Sequence, residues 1–500
     1  MEKMKKTYSF LFAAVALFAA ASCQDELISN ETPAVQGERF TVTAAADAQT
    51  KTALTDEGLN SVWTPGDAIA VIDFIGNGAE FTTDITENAA SARFTCENFN
   101  TGGLTDISAL PIVALYPYQD GLTCSIQSQL NPTGDNTIKG ITFPHEQTAV
   151  AGSFDKSAAF TWAMATGATK DNLEFNNLYS LLKVKVTEEN ITSITVSATS
   201  GSLAGKVTLP LTTGALTVVE GQGQSSVTLT CEDGFATDKY YYICILPGTY
   251  EGFSIALDGT VVKKAQKDAE FASATVYDLG ELEIKESVYG LIGIDGDWNT
   301  DLPMLETSRD NFFVAYGVVF DTNSQFKIRK KGVWEAEYNF GSVGDKIREK
   351  NSVVGVYTHG DSGHIKVNAG TYDIYFDRLA GQVYIMEPGK SYTEGSKQSK
   401  PSYSYGLVGS FTNWSSNIDM DYAGDGVWTV VYNFNTTDEW KVRKGTGWDA
   451  AYNNVWVGWE LKNEVGNDKN LQMKNAGEYI ISFIEKDAKD GNSLITILNK

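Results

Sequence analysis

Histidine is nearly missing from these 500 residues: there are three, and only His145 lies outside the last third of the chain. No cluster of His and Cys has zinc spacing, and no glycine-rich turn follows a strand and opens a helix as phosphate binding requires, so no cofactor is expected. Gly360-Asp361-Ser362-Gly363 has the look of a serine-protease nucleophile segment beside His359. That mechanism needs a base from an earlier domain, where only His145 stands, so the segment reads as a turn. Basic residues are also few, 39 against 63 acidic ones, for a formal charge of −24. A field of that sign repels phosphate backbones and polyanionic sugars and excludes nucleic acid as a partner. Asp419-Met420-Asp421 with Asp425 matches no calcium loop of defined ligand order, so no metal site is assigned. Nothing marks one carboxylate as paired or set in a cleft, and the chain reads as a non-enzyme.

Long apolar runs are confined to the start. Lys3, Lys5 and Lys6 precede Phe10 to Ala21, too short to span a bilayer, and residues 1–22 read as a secretory signal. The run ends Ala20-Ala21-Ser22-Cys23, which resembles a bacterial lipobox, with residues 23–36 as a tether. Acyl chains on Cys23 would bury many methylenes at about 0.8 kcal/mol each, enough for permanent anchoring. Gln24-Asp25-Glu26 resembles the signal that sends lipoproteins of the Bacteroides group to the outer face of the outer membrane. Of the remaining cysteines, Cys231 and Cys244 sit on two apolar runs and are open to two readings, a disulfide or two thiols buried with Cys96 and Cys124 as small hydrophobes.

Helical periodicity is scarce. Apolar residues alternate instead with period two, as in Leu182-Lys183-Val184-Lys185-Val186 and Trp428-Thr429-Val430-Val431-Tyr432. With turn signals at short intervals, such as Pro65-Gly66-Asp67 and Gly424-Asp425-Gly426, this predicts an all-β chain of tandem antiparallel β-sandwiches, immunoglobulin-like or transthyretin-like. The length has room for three or four cores. Tyr289-Gly290-Leu291-Ile292-Gly293 recurs as Tyr405-Gly406-Leu407-Val408-Gly409, each followed at one offset by a tryptophan, Trp298 and Trp414. The match continues through Phe326-Lys327-Ile328-Arg329-Lys330 and Trp440-Lys441-Val442-Arg443-Lys444, through Trp334 and Trp448, and ends in Asn368-Ala369-Gly370-Thr371-Tyr372 and Asn475-Ala476-Gly477-Glu478-Tyr479. Two repeat domains follow, 286–387 and 404–500, joined by a linker at 388–403 that has too few aliphatics to pack. Upstream, a division near Thr166 predicts sandwiches at 37–165 and 166–285.

Lys51-Thr52, Val62-Trp63-Thr64-Pro65-Gly66-Asp67, Tyr116-Pro117-Tyr118 and Phe175-Asn176-Asn177-Leu178 together resemble the fimbrillin-like family of Bacteroides lipoproteins. Physically, Trp63 would plug a sandwich core beside the Pro65-Gly66 turn, a structural role. The two repeats resemble the starch-binding domains of the SusE and SusF outer-membrane lipoproteins, in their opening aromatic-Gly strand and in the Phe-Lys-aliphatic-Arg strand before a tryptophan. That resemblance implies an α-glucan cradled on aromatic platforms, Trp298 with Trp334 and Trp414 with Trp448, while Lys327, Arg329, Lys441 and Arg443 supply donors at the rim. A further polar residue before the late strand would be His364 in the first copy and Asn470 in the second, and Trp456 would widen the second platform. Pyranose C–H faces suit indoles, and hydroxyls need polar groups at the rim.

The expected function is capture of starch-like polysaccharide at the cell surface, with the N-terminal half as spacer, a flexible linker letting two weak sites share one polymer, and a SusC/SusD-type transporter complex as a further partner. The rival expectation is a fimbrial subunit or tip adhesin, supported by the fimbrillin resemblance.

Overall fold

The computed structural model describes residues 38–45, 62–126, 134–448, 451–452, 470–487 and 492–500. Cys23, the signal segment, Lys51-Thr52 and Trp456 lie outside these residues. The chain is all-β, 53% strand and 4% helix, in multiple antiparallel sheets. Every helix among the described residues is a three-residue 3-10 turn. None is long and apolar enough to cross a membrane.

In the N-terminal half Trp63 is buried and meets Phe94, Tyr116 and Phe175 edge-to-face, at ring distances of 4.9, 5.4 and 5.5 Å. The Thr64–Asp67 turn beside it is closed by the Asp67 carboxylate, which accepts the Thr64 N–H at 2.7 Å. Strand pairing crosses the expected division at Thr166 in both directions. Thr137–Phe143 pairs with Ala204–Pro210, and Glu38–Ala45 pairs in parallel with Leu173–Glu174. One hydrophobic cluster runs from Phe40 to Leu282, so the two sandwiches share apolar surface. All four described cysteines are free thiols, so Cys231 and Cys244 are not bridged; Cys124 and Cys244 are buried as small hydrophobes, while Cys96 and Cys231 are half-buried. Burial pushes the Cys124 thiol up to about 12, and such a group is inert packing material.

The two repeats have the same strand register. Leu291 faces Ile328 and Tyr289 faces Lys330 in one; Leu407 faces Val442 and Tyr405 faces Lys444 in the other. The late Asn-Ala-Gly motif serves a corner. Gly370 and Gly477 take φ of 149° and 154°, and the hydroxyls of Tyr372 and Tyr479 donate back to the carbonyls of Asn368 and Asn475 at 2.9 and 3.1 Å. Repeat 1 closes on itself, because Glu286–Ile292 pairs with both Leu302–Glu306 and Ser324–Lys330.

Residues 388–403, expected to be a flexible linker, are largely exposed but pinned at one point by Ser391 and Tyr392. Ser391 caps a turn at Tyr392–Glu394, and the Tyr392 ring lies 4.8 Å from Phe312, 5.5 Å from Tyr375 and 5.7 Å from Tyr384. One aromatic side chain does what the missing aliphatics could not. The repeats also share a buried boundary. Arg348 pairs with Asp425 at 2.9 Å, Gln382 donates to the Ala423 carbonyl at 3.1 Å, and Tyr357 packs with Val427, Ile484 and Leu494. A second buried ion pair, Lys264 with Asp373, ties the N-terminal half to repeat 1.

Candidate functional site

In each repeat the Phe/Trp-Lys-aliphatic-Arg strand places its aliphatic residue in the core and its Lys and Arg on the opposite face. Over that face lie two indoles. Trp298 and Trp334 are 6.3 Å apart with 37° between their planes; Trp414 and Trp448 are 6.2 Å apart at 40°. Centroids this close leave no room for a sugar ring between the indoles, so each pair is one bent surface. Trp334 and Trp448 are half exposed, at 50% and 54%, unusual for so large an apolar side chain.

The arginines take a different place from the expected rim. Arg329 and Arg443 are 2% and 1% exposed, with their guanidinium carbons 4.1 and 4.8 Å from the ring centres of Trp334 and Trp448. They support the indoles by cation–π contact, and burial removes them from the rim. Each is held by a residue that sequence reasoning missed. Asp301 accepts from Arg329 Nε at 2.6 Å and Nη2 at 2.9 Å, and also from the Gly332 N–H in the turn that leads to Trp334. Asn417 Oδ1 accepts from Arg443 Nε at 3.0 Å and Nη2 at 2.7 Å, while its Nδ2 donates to the Gly445 carbonyl in the turn that leads to Trp448. Both stand three residues after the first tryptophan of their repeat, an offset that aligning the copies reveals.

Lys327 is 4% exposed, and its Nζ donates to the Ser362 hydroxyl at 3.1 Å. Burial lowers its pKa to about 8, opposed by the nearby Asp361 carboxylate. The Gly360–Gly363 segment is a turn, as expected, with Ser362 Oγ donating to the His359 carbonyl at 3.0 Å. His364 stands 5.0 Å from Trp298, and burial first, then Lys327, holds its pKa below the usual imidazole range. In repeat 2, Lys441 is half-buried, and the register Trp440 to Leu471 places Asn470 beside it as His364 stands beside Lys327. Asn470 donates to Glu439 at 2.7 Å. Thus Trp298, Trp334, Lys327, Arg329 and His364 come together, as do Trp414, Trp448, Lys441, Arg443 and Asn470.

No family model matches the chain, and no curated protein matches it. Among solved structures, a candidate cell adhesion protein from Bacteroides uniformis is 16% identical, covering 48% of this chain and 92% of its own, with a TM-score of 0.28. SusF from Bacteroides thetaiotaomicron is 13% identical over 64% of this chain and 76% of its own, TM-score 0.17. A fimbrial assembly protein from Parabacteroides distasonis is 11% identical over 58% and 96%, TM-score 0.24. At these scores none of them bears on the site.

The backbone that carries the first indole differs between the copies. Gly293 has φ of 96°, and a Cβ there would lie 2.6 Å from the Trp298 ring, which rests directly on the glycine. Trp414 is itself left-handed, φ 59°, with its N–H donating to the Gly409 carbonyl at 2.9 Å. A bulky residue in that region costs on the order of 1–3 kcal/mol and persists only where surrounding contacts enforce it. Among the described residues no group of His, Cys, Asp and Glu is arranged to hold a metal ion.

Proposed function

We propose that the chain is a non-catalytic polysaccharide-binding protein of the cell surface, anchored through Cys23, that captures α-glucan on two indole platforms. The observation that supports this reading is the duplication of one geometry: two indole pairs, each with one exposed and one half-buried ring, each bent by about the same angle and each backed by a buried arginine. Conserving a core does not require two half-exposed tryptophans at matching positions. A bent apolar surface suits a glycan that curves, because successive pyranose rings can each lie on one indole. His364 in repeat 1, and Lys441 with Asn470 in repeat 2, are the polar groups beside the platforms that would meet sugar hydroxyls, whereas Lys327 is buried like the arginines and lies beneath. The N-terminal half serves as the spacer.

Affinity electrophoresis tests the reading. The chain from Gln24 onward is run through gels containing amylopectin, dextran or xylan, beside the Trp298→Ala, Trp414→Ala double variant. Retardation by amylopectin alone, abolished in the variant, is the expected result. Free migration in every gel, together with ladders on incubation of the purified protein, would favour the fimbrial reading instead.

A further inference from the structure

A groove of about 440 Å³ opens on repeat 1 beside the loop that carries Trp298. Gln325 and Lys366, both in its lining, are direct partners across the Ser324–Lys330 and Ile365–Val367 strands. Side chains alternate along a strand and cross-strand partners share a face. Gln325, Lys327 and Arg329 therefore project from one side of the sheet, together with His364 and Lys366. Trp298 against His364 and Trp334 against Arg329 identify that side as the indole face. The row from Arg329 to Gln325 is about 13 Å long, so the groove continues the platform beyond a single sugar ring.

One wall is fixed. The Asp295 carboxylate accepts the N–H groups of Asp321 and Thr322 at 3.1 and 3.3 Å, and the Ser324 hydroxyl accepts the Asp295 N–H at 2.8 Å, which locks the Ile294–Gly296 turn to the connection between Phe312–Phe320 and Ser324–Lys330. Ile347, 47% exposed, adds an apolar patch to the lining. The Gln325 amide has no hydrogen-bond partner among the described residues. Lys366 Nζ meets only the exposed Asp345, at 3.5 Å.

We propose that this groove is a further subsite for the same glycan chain. Rings held by their faces on Trp298 and Trp334 are followed by a ring whose hydroxyls bond to the Gln325 amide and the Lys366 ammonium, with its apolar edge against Ile347. The proposal rests on the glycan-binding reading above. Repeat 2 is built differently at these positions. The register puts Glu439 where Gln325 stands and Gln472 where Lys366 stands, and Gln472 donates to the Thr436 carbonyl at 2.9 Å while Glu439 accepts from Asn470. Each of those groups is already engaged within repeat 2, so the extension belongs to repeat 1, which favours longer chains.

Calorimetric titration with maltotriose and maltoheptaose tests this, using the full chain with Trp414→Ala so that repeat 1 alone reports. The same chain with Gln325→Ala and Lys366→Ala is titrated beside it. The longer sugar is expected to bind the parent about fivefold more tightly, and the double substitution to erase that margin without changing maltotriose affinity. Equal affinities in the parent, a margin that survives the substitutions, or an equal loss for both sugars would overturn the subsite and leave the platforms standing. Failure of the parent to bind either sugar would overturn the glycan reading and the subsite with it.

Discussion

Repeat 1 and repeat 2 reach the same indole geometry by different electrostatics. A carboxylate, Asp301, holds Arg329, whereas a neutral amide, Asn417, holds Arg443, yet the two tryptophan pairs differ by 0.1 Å and 3°. What the platform requires is an acceptor fixed in place that also grips the turn carrying the outer indole. Net charge is secondary. Neutralising the arginine matters less than aiming it, because a buried ion pair gains little over a hydrogen-bonded alternative once desolvation is counted.

The largest way to break that equivalence is to delete the arginines. Arg329→Ala leaves Asp301 nearly buried without a counter-charge and is expected to cost about 3–5 kcal/mol in denaturant unfolding. Arg443→Ala strands only an amide, and the same measurement should give about 1–3 kcal/mol. Equal losses would mean that packing against the indoles, and not the anchor, sets the cost.

Next come Gly293 and Gly409, which close the opening motif of each repeat. An added methyl at Gly409 would lie 2.3 Å from the Glu439 carbonyl oxygen, a backbone atom, while at Gly293 it meets the edge of the Trp298 ring. Gly409→Ala should therefore lower the melting temperature the more. Gly293→Ala should chiefly displace Trp298, at about 1–3 kcal/mol for the left-handed backbone, and remove sugar binding by repeat 1.

Exchanging the anchors sharpens the comparison. Asp301→Asn keeps an oxygen acceptor for Arg329 and is expected to cost about 1 kcal/mol, with near-ultraviolet circular dichroism of the indoles unchanged. A lost indole signal would show that the charge itself aims Arg329.

The smallest effect is one of pH. With the Lys327 pKa lowered to about 8 by burial, its ammonium loses a proton as pH rises from 7 to 9, and the unfolding free energy read in denaturant should rise across that interval. Lys327→Gln should flatten the profile. The sign follows because an unfolded lysine keeps its proton up to about 10.4. Between the two values the unfolded chain binds more protons, so this group's contribution to stability rises with pH.

The strand content and the repeat were legible because period-two alternation and a duplicated motif are local signals. So was Trp63, whose turn follows at once in Pro65-Gly66-Asp67. Alternation gave the shared face of Lys327 and Arg329 but not its cover, since the indoles that bury Arg329 arrive from separate loops. Counting aliphatics in 388–403 overlooked Tyr392, whose ring meets Tyr375, Tyr384 and, from 80 residues upstream, Phe312. Pairing of residues 137–143 with 204–210 across Thr166 was hidden for the same reason.

The Arg348–Asp425 contact and the packing of Tyr357 with Val427 give the two platforms one fixed separation. Such a pair acts as a gauge. Under the proposed glycan-binding function, a polymer whose own curvature and branching bring two segments to that separation engages both platforms, and the second contact strengthens the first. A polymer of the same sugar with a different shape occupies one platform at a time, however long it is. Discrimination among glycans then falls partly to the form of the chain, which a titration with short oligosaccharides does not register.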